Sequence, residues 1–435
     1  MKLLPFFAAC CLSLLVSCSA HRKSRVSAPS ADLDIPFEIY RFQADSGLSF
    51  RLSTGTQIRI EPGTLVDSKG NIVHGEVEFR VREFHQTDDL FRSGIPMDTR
   101  ANGTDRLQTG GMIEMRAFSG KESLNVAPGK TLEVGLAGFR DSKGYDLWYM
   151  DEDADWNKRG QYTSDSNRIK IQMVSALTDS LNRMKAPVET DRRIFELVSN
   201  LEQAPYLKAF KGIKWRLDES QPIEFLEEQS RIHWEGVRIT RVNKKNNLYK
   251  LSFTQFEKDD PEASKGIQKT VLARAMSSRA DMKSRSAEYE KELAEFERKQ
   301  NERREQLARA KREADLIQTF RADRLGIWNV DRLMKMEGCA PVYVHFDFEN
   351  EGIDMKSNIR LFALYDQENS IMEVSREKWN QVYLQKGKAM RLIALLPTDQ
   401  LALVDNSAIQ QCMEAGLKEV TFQTRKIKTK DFLKK

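Results

Sequence analysis

The sequence predicts a mainly β, multi-domain α+β protein that contains one long charged helix. Three observations lead to this fold class. Apolar residues recur at every second position in short runs towards both ends of the chain, and turn residues separate these runs. A long central stretch consists mostly of strong helix formers. The 435 residues are enough to build two or three separate hydrophobic cores.

The first β region is predicted over residues 36–175, as a sandwich of short strands. Its alternating runs are Ile58 and Ile60, then Val77, Phe79 and Val81, then Ile113, Met115 and Ala117, and finally Leu132, Val134 and Leu136. Turn chemistry separates the runs, at Asp67–Asn71, Ala127–Gly129 and Asp141–Gly144.

Part of this region resembles a known module. The run Gly55-x-x-Ile58-x-Ile60-Glu61-Pro62-Gly63-Thr64-Leu65 is similar to the signature of the ZU-type β-sandwich domains of ankyrins and netrin receptors, and departs from it at Glu61 and Thr64. The segments Ser93–Met97 and Thr109–Met112 resemble those of large uncharacterised Gram-negative envelope proteins that carry a related module. The resemblance implies a sandwich fold and a role in contacts between proteins.

The middle of the chain is predicted as a small mixed α/β region over residues 176–258. Its clearest element is a β-hairpin, in which Val237–Val242 and Leu248–Phe253 are joined across Asn243–Asn247.

A long charged helix or a helical hairpin is predicted over residues 259–322. Met282, Tyr289 and Phe296 lie seven residues apart, as in a coiled-coil seam, but Lys299–Glu305 is polar on all sides. Three arrangements fit this pattern: a seam with a polar middle, a hairpin that turns near Asn301, and a single helix that connects domains through pairs of opposite charge.

Residues 323–435 are predicted to form a C-terminal β-rich domain. Residues Val342–Phe348 alternate between apolar and polar, and Leu392–Leu396 is a continuous apolar run. Val420 and Phe422 alternate near the end of the chain.

The N-terminus has the pattern of an export signal over residues 1–17: one lysine, an apolar stretch and small residues before a cysteine. Cys18 follows Leu14-Leu15-Val16-Ser17, which resembles the lipobox of bacterial lipoproteins. This resemblance implies cleavage before Cys18, a diacylglycerol on its sulfur and acylation of the new amine. An ordinary signal peptide with a chance cysteine is the alternative. Residues 18–35 are rich in serine, alanine, proline and charge, and are predicted to be a flexible tether.

The location expected from these features is the cell envelope, with the lipid in the outer membrane and the body facing the periplasm. By resemblance to lipoprotein sorting, Ser19 after the cysteine disfavours retention in the inner membrane, and the basic residues at 22–25 do not resemble acidic surface-export signals. The same basic residues either attract anionic head groups or serve as a solvated linker. The net charge is +5, with 69 basic and 64 acidic residues, so we expect no nucleic-acid partner.

Two sequence patterns resemble ligand-binding loops, one for calcium and one for phosphate. Asp151, Asp153 and Asp155 alternate as oxygen ligands do in a calcium loop, but Trp156 and Tyr162 stand where such a loop needs glycine and glutamate. We therefore favour a polar turn and keep the three aspartates as calcium candidates. Pro128–Thr131 imitates the end of a phosphate loop without its first glycine, so no nucleotide or other cofactor is expected.

Two cysteines follow Cys18, at positions 339 and 412. In an oxidising compartment Cys339 and Cys412 would be free to form a disulfide, and two buried free thiols are the equal alternative.

The sequence therefore predicts a non-catalytic envelope lipoprotein, which is a membrane-anchored scaffold or protein-interaction module. Its expected partners are the membrane, through the N-terminal lipid, and other envelope proteins. Two alternatives stay open: a hydrolase that acts on glycans or peptides, and a carbohydrate- or calcium-binding module.

Overall fold

A computed structural model describes residues 26–99, 106–179, 188–191, 193–197, 204–222, 234, 236–243, 245–255, 267–334, 339–347, 358–379, 381–397 and 400–432. The fold is mainly β, with several sheets and one long helix, which confirms the predicted fold class.

The strands in chain order are β1 (Glu38–Gln43), β2 (Leu48–Arg51), β3 (Gln57–Ile60), β4 (Leu65–Val66), β5 (Glu76–Phe84), β6 (Leu107–Ser119), β7 (Glu122–Ser123), β8 (Asn125–Val126), β9 (Leu132–Gly138), β10 (Asp146–Met150), β11 (Trp156–Gly160), β12 (Thr163–Ser166), β13 (Val188–Asp191), β14 (Ile194–Glu196), β15 (Lys214–Leu217), β16 (Gly236–Asn243), β17 (Leu248–Gln255), β18 (Ile267–Ala275), β19 (Leu316–Ala322), β20 (Gly326–Leu333), β21 (Cys339–Asp347), β22 (Arg360–Tyr365), β23 (Ser370–Val374), β24 (Val382–Gln385), β25 (Met390–Leu396), β26 (Gln400–Val404), β27 (Glu419–Gln423) and β28 (Arg425–Lys428). The α-helices are α1 (Thr87–Ser93), α2 (Arg168–Asp179), α3 (Arg279–Arg312), α4 (Asn406–Glu414) and α5 (Thr429–Phe432). Short 3-10 segments cover Ala31–Leu33, Pro205–Phe210 and Arg376–Lys378.

The chain divides into two compact units that are not continuous in sequence. The first comprises the chain up to Phe50, Ile58–Ser164 and Gln318–Lys435, and the second comprises Arg51–Gln57 and Asp165–Ile317. The sequence-based boundaries at 175 and 323 therefore do not coincide with the edges of these units. An alternating run identifies a strand but does not identify its partner, so pairing between distant segments was not visible in the sequence.

The first unit contains a large sheet in the order β1-β5-β6-β20-β10-β11, with β7 paired to β6. Strand β20, which was assigned to a C-terminal domain, lies between β6 and β10, and Trp328 is opposite Ile113 of β6. A second sheet contains β19, β9, β3 and β2 in that order. Side chains of the two sheets meet, and the rings of Phe50 and Phe79 are 6.0 Å apart between centroids, as expected for a sandwich.

The C-terminal strands of the first unit form a sheet in the order β23-β22-β25-β26-β28 and a smaller one in the order β24-β21-β27. Both faces of the larger sheet are buried. Leu361 and Leu392 belong to a core shared with β21 and α4, whereas Phe362 and Ile393 pack with residues from the N-terminal part of the chain, among them Phe91. This explains the continuous apolar run in β25, because a strand buried on both faces does not alternate.

Residues 26–35 pack against the first unit, which corrects the prediction of a tether over residues 18–35. Leu33 is fully buried, and its carbonyl accepts a hydrogen bond from Arg92 Nε at 3.0 Å. Asp34 accepts a hydrogen bond from Arg82 Nη1 at 2.7 Å. The proline, serine and charged residues of this segment are typical of a solvated linker. Its apolar residues Val26, Leu33 and Ile35 nevertheless pack in the core of the first unit and hold the segment there. We call residues 26–35 the strap.

The second unit is built on an antiparallel sheet in the order β13-β14-β15-β18-β17-β16. The predicted hairpin is confirmed, because β16 pairs with β17 and Ile239 lies opposite Leu251. Strand β18 occupies Ile267–Ala275, where a helix was expected. Val271 and Ala273 are fully buried and alternate with polar neighbours, but helix-forming residue types hid this period of two.

Helix α3 is one continuous helix of 34 residues, so the hairpin that turns near Asn301 is wrong. It begins where Ser278 Oγ accepts a hydrogen bond from the N–H of Asp281 at 3.2 Å, and not near Pro261. Met282, Tyr289 and Leu293 pack into the core of the six-stranded sheet. The row that suggested a coiled-coil seam is therefore the sheet-facing side of the helix.

Candidate functional site

The lipidation candidate Cys18 and the signal segment 1–17 lie outside the described residues. Within the described residues, no helix has both the length and the apolar character needed to cross a bilayer.

The calcium candidates lie in a tight turn between β10 and β11. Asp151 Oδ1 accepts hydrogen bonds from the N–H groups of Asp153, at 3.0 Å, and Asp155, at 2.9 Å, while Oδ2 accepts one from Asn157 Nδ2 at 2.8 Å. Ala154 has a positive φ of 62°, which completes the turn. The Asp151 carboxylate thus closes the turn with the oxygens that a cation would need. In the described part of the chain, no group of three or more His, Cys, Asp or Glu side chains is arranged to hold a metal.

Cys339 and Cys412 are free thiols in this structure, one half-buried in β21 and one buried in α4. Burial raises the pKa of both thiols above the ordinary value. The two thiols are unpaired in this structure, and a disulfide between them in an oxidising compartment stays a prediction.

The segment Ser93–Met97 ends α1 in a structural turn. Ser93 Oγ donates to the carbonyl of Leu90 at 2.8 Å and accepts from the N–H of Ile95 at 3.0 Å, so the hydroxyl is used at the helix end. Gly94 takes the left-handed conformation, with φ of 66°. His85 contacts Glu83 at 3.2 Å through Nε2, and its ring packs on Phe139.

A carbohydrate-binding module would need exposed aromatic rings for stacking on sugars, but the aromatic residues of β10 and β11 are packed within the fold. Trp156 is buried, and its indole N–H donates to the carbonyl of Pro96 at 2.7 Å. Trp148 donates to the carbonyl of Asp331 at 3.1 Å, and Tyr149 packs on Trp328 with ring centroids 5.1 Å apart. These rings stabilise the first unit by packing and by satisfied hydrogen bonds.

A buried polar cluster lies between the sheets of the first unit. Thr109 donates to Asn329 Oδ1 at 2.6 Å, Asn329 Nδ2 donates to Asp331, and Gln318 Nε2 donates to Ser142 Oγ at 2.9 Å. Burial raises the pKa of Asp331 well above its usual range, against an opposing effect of the hydrogen bond with Thr109. Asp331 Oδ1 and Gln318 Oε1 have no hydrogen-bond partner.

The cluster also explains the Thr109–Met112 motif. A Cβ on Gly110 would lie 3.0 Å from Ser142 Cβ and 3.1 Å from Gln318 Nε2, and Gly111 has φ of 148°. Glycines at these positions let the backbone of β6 approach the opposite sheet. All members of the cluster are fully buried, which makes it a structural element and not an accessible site.

The best candidate for a functional site is a cavity of about 320 Å³ in the first unit. It lies between the end of α1 with the turn that follows, on one side, and β22 and β23 on the other. Its apolar wall includes Phe91, Ile95, Met97, Phe362 and Ile371, all of them buried. We call this cavity the β23 groove. Its size is at the lower end of the range for small-ligand sites.

Three charged residues line the β23 groove: Asp98, Arg106 and Glu373. Glu373 is already paired, because Arg360 donates to its two carboxylate oxygens at 2.8 Å each. Nε and Nη1 of Arg106 are buried without a hydrogen-bond partner, and no ion pair joins Arg106 to a carboxylate of the described residues. Arg106 is half-buried, and two of its three guanidinium nitrogens are removed from water without a counter-charge among the described residues. Such partial burial is costly, so Arg106 is the distinctive chemical feature of the groove.

Sequence reasoning missed this site. Its residues come from three segments, near 90–98, at 106 and near 362–375, and no short motif connects them. The one signal in the sequence is the Ser93–Met97 segment, which resembles segments of envelope proteins and contributes Ile95 and Met97 to the groove.

Comparisons with known proteins add no identification: no protein-family model, no curated protein and no solved structure matches the chain. The ZU-type resemblance of the first β region therefore stays a prediction.

Proposed function

We propose that this chain is a lipid-anchored envelope protein whose β-rich body acts as a non-catalytic scaffold for other envelope proteins. The lipidation part rests on the export signal and on the lipobox-like sequence that ends at Cys18. The scaffold part rests on the β23 groove, a cavity with an apolar wall and with an arginine that has no ion-pair partner among the described residues. We expect the lipid to lie in the outer membrane, with the body in the periplasm.

The strap is the observation that carries this proposal. Cys18 precedes Val26 by eight peptide units, which reach at most about 28 Å when fully extended. Because the strap from Val26 to Ile35 packs on the first unit, a lipid on Cys18 would hold that unit close to the membrane surface. The strap also passes the Gly94 turn beside the groove, since the carbonyl of Ser27 lies next to Gly94. A partner at the groove would consequently be recruited near the bilayer.

Membrane attachment is tested by Cys18→Ser. We expect the wild-type protein to sediment with outer membranes and the variant to be released into the soluble periplasmic fraction. Cys10→Ser, in the apolar part of the leader, is the matched control and should leave sedimentation unchanged. A variant that still sediments with membranes, or a wild-type N-terminus without lipid in mass spectrometry, would refute the anchor.

The scaffold role is tested by photo-crosslinking in intact cells. A photoreactive phenylalanine analogue at Ser375, an exposed position at the groove, should trap a discrete larger species. The same analogue at Lys143, which is exposed in a turn and is not among the residues that line the groove, should not. Equal crosslinking from both positions, or none from Ser375, would count against a partner at this site.

A further inference from the structure

We propose that the β23 groove binds an extended peptide segment of a partner protein, which adds as a strand to the free edge of β23 and places a carboxylate beside Arg106. This inference rests on the proposed scaffold role and specifies the chemistry of the partner.

One edge of β23 is free of strand pairing among the described residues. β23 is the outermost strand of its sheet, and within the described residues it pairs only with β22. Two hydrogen bonds join the start of β23 to the start of β6. The N–H of Thr109 donates to the carbonyl of Asn369 at 3.1 Å, and Ser370 Oγ donates to the carbonyl of Leu107 at 2.6 Å. After Ser370, the residues Ile371, Met372 and Glu373 of β23 line the cavity. An unpaired strand edge is a template for an added strand.

The groove follows β23 over several residues. Ile371, Met372 and Glu373 of β23 line it, so the cavity runs along the strand and is not confined to one end. The carbonyl of Val374 accepts a hydrogen bond from Trp379 Nε1 at 3.2 Å, which limits the free part of the edge to the residues before it. An added strand would therefore be short, with one aliphatic side chain in the apolar part of the cavity.

The charges that line the groove favour an acidic ligand. Arg106 has no ion-pair partner among the described residues, while the other basic group nearby, Arg360, is already neutralised by Glu373. A carboxylate carried by the peptide would supply the missing counter-charge in a partly desolvated setting, where a charged hydrogen bond is stronger than in water. A neutral peptide would supply no counter-charge to Arg106, so the affinity of the groove for a peptide should depend on an acidic side chain in that peptide.

Asp98 offers the competing explanation. It lies opposite Arg106 in an isolated β-bridge, and a change of rotamer could make it the partner of Arg106 within the same chain. If Asp98 were that partner, Asp98→Asn would lower the melting temperature and Arg106→Gln would lower it as well. If the groove binds a ligand, Arg106→Gln should raise the melting temperature, because it removes a half-buried charge that has no ion-pair partner in the described part of the chain.

The binding test is a selection of displayed random octapeptides on the purified full-length protein in detergent. We expect an enriched pool in which an acidic residue accompanies an aliphatic one. Arg106→Gln should weaken binding of the selected peptides at least tenfold, and Ser375→Trp should block the groove. Arg59→Gln is the matched control and should bind the peptides as the wild type does. Arg59 is an exposed arginine on β3 that forms an ion pair with Glu61.

Strand addition is tested on the best selected peptide. Replacing its acid by the amide, or methylating alternate backbone nitrogens, should each reduce affinity at least tenfold. No enrichment, a neutral or basic pool, or binding that ignores N-methylation would overturn the inference. Because the assay uses purified protein, such a failure together with a positive crosslink at Ser375 would leave the scaffold role intact and refute only the peptide chemistry.

Discussion

The contact between the strap and Gly94 makes a quantitative prediction about what holds residues 26–35 to the body. Gly94 has φ of 66°, and a Cβ at this position would lie 1.9 Å from the carbonyl oxygen of Ser27. Gly94→Ala therefore imposes a left-handed alanine, at about 1 kcal/mol, and also forces the strap away. Losing the burial of Leu33 adds about 2 kcal/mol. We expect a total loss of about 3 kcal/mol in the free energy of unfolding of the first unit.

Gly129→Ala is the matched control for this experiment. Gly129 has φ of 76° and nothing within 4 Å of its added Cβ, so only the conformational cost of about 1 kcal/mol applies. Urea unfolding gives the two free energies, and hydrogen exchange with mass spectrometry reports on the strap directly. Peptides from residues 26–35 should lose protection in Gly94→Ala and keep it in Gly129→Ala. Equal destabilisation of the two variants, or an unchanged strap in Gly94→Ala, would refute the reasoning.

Three further predictions follow from buried polar groups. Asp331→Asn should be more stable than the wild type, by a margin that grows as the pH rises above about 4. Burial raises the pKa of Asp331 in the folded protein, so folding of the wild type requires a protonated carboxyl group that is harder to keep as the pH rises. Thermal melts between pH 4 and 8 measure this margin. Tyr289→Phe should cost about 1–3 kcal/mol in urea unfolding, because the buried N–H of Ile239 loses its acceptor at 2.8 Å; equal stability of the two proteins would contradict this. Cys339 and Cys412 should react with a thiol reagent slowly at pH 7 and faster as the pH rises, because burial raises the pKa of both thiols. If neither cysteine reacted even after denaturation, the two thiols would not be free.

The sequence was informative where the hydrophobic period and the turn chemistry agreed. The hairpin of β16 and β17 and the apolar run of β25 are found where they were expected. It was misleading where residue type and period disagreed, as in β18, whose helix-forming residues alternate in burial. In such a segment tertiary pairing overrides intrinsic propensity.

The candidate site could not be read from the sequence for a different reason. Arg106 looks like any exposed arginine until Phe362 and Ile371, which follow more than 250 residues later, are placed beside it. The same holds for Leu33, whose neighbours in the chain are those of a linker. Both residues acquire their character from long-range packing, and no local rule describes that packing.

The treatment of two sheet edges in this protein supports the assignment of the groove. The outer edge of β16 is closed: Tyr289 on α3 accepts the N–H of Ile239 at 2.8 Å, and Tyr206 accepts the N–H of Val237 at 3.3 Å. Proteins usually protect edges in this way because an open edge invites pairing with other chains. The edge of β23 carries no such cover among the described residues, and it borders a cavity lined by Arg106, which has no ion-pair partner in the described part of the chain. This difference between the two edges is what we expect if a partner supplies a strand at β23.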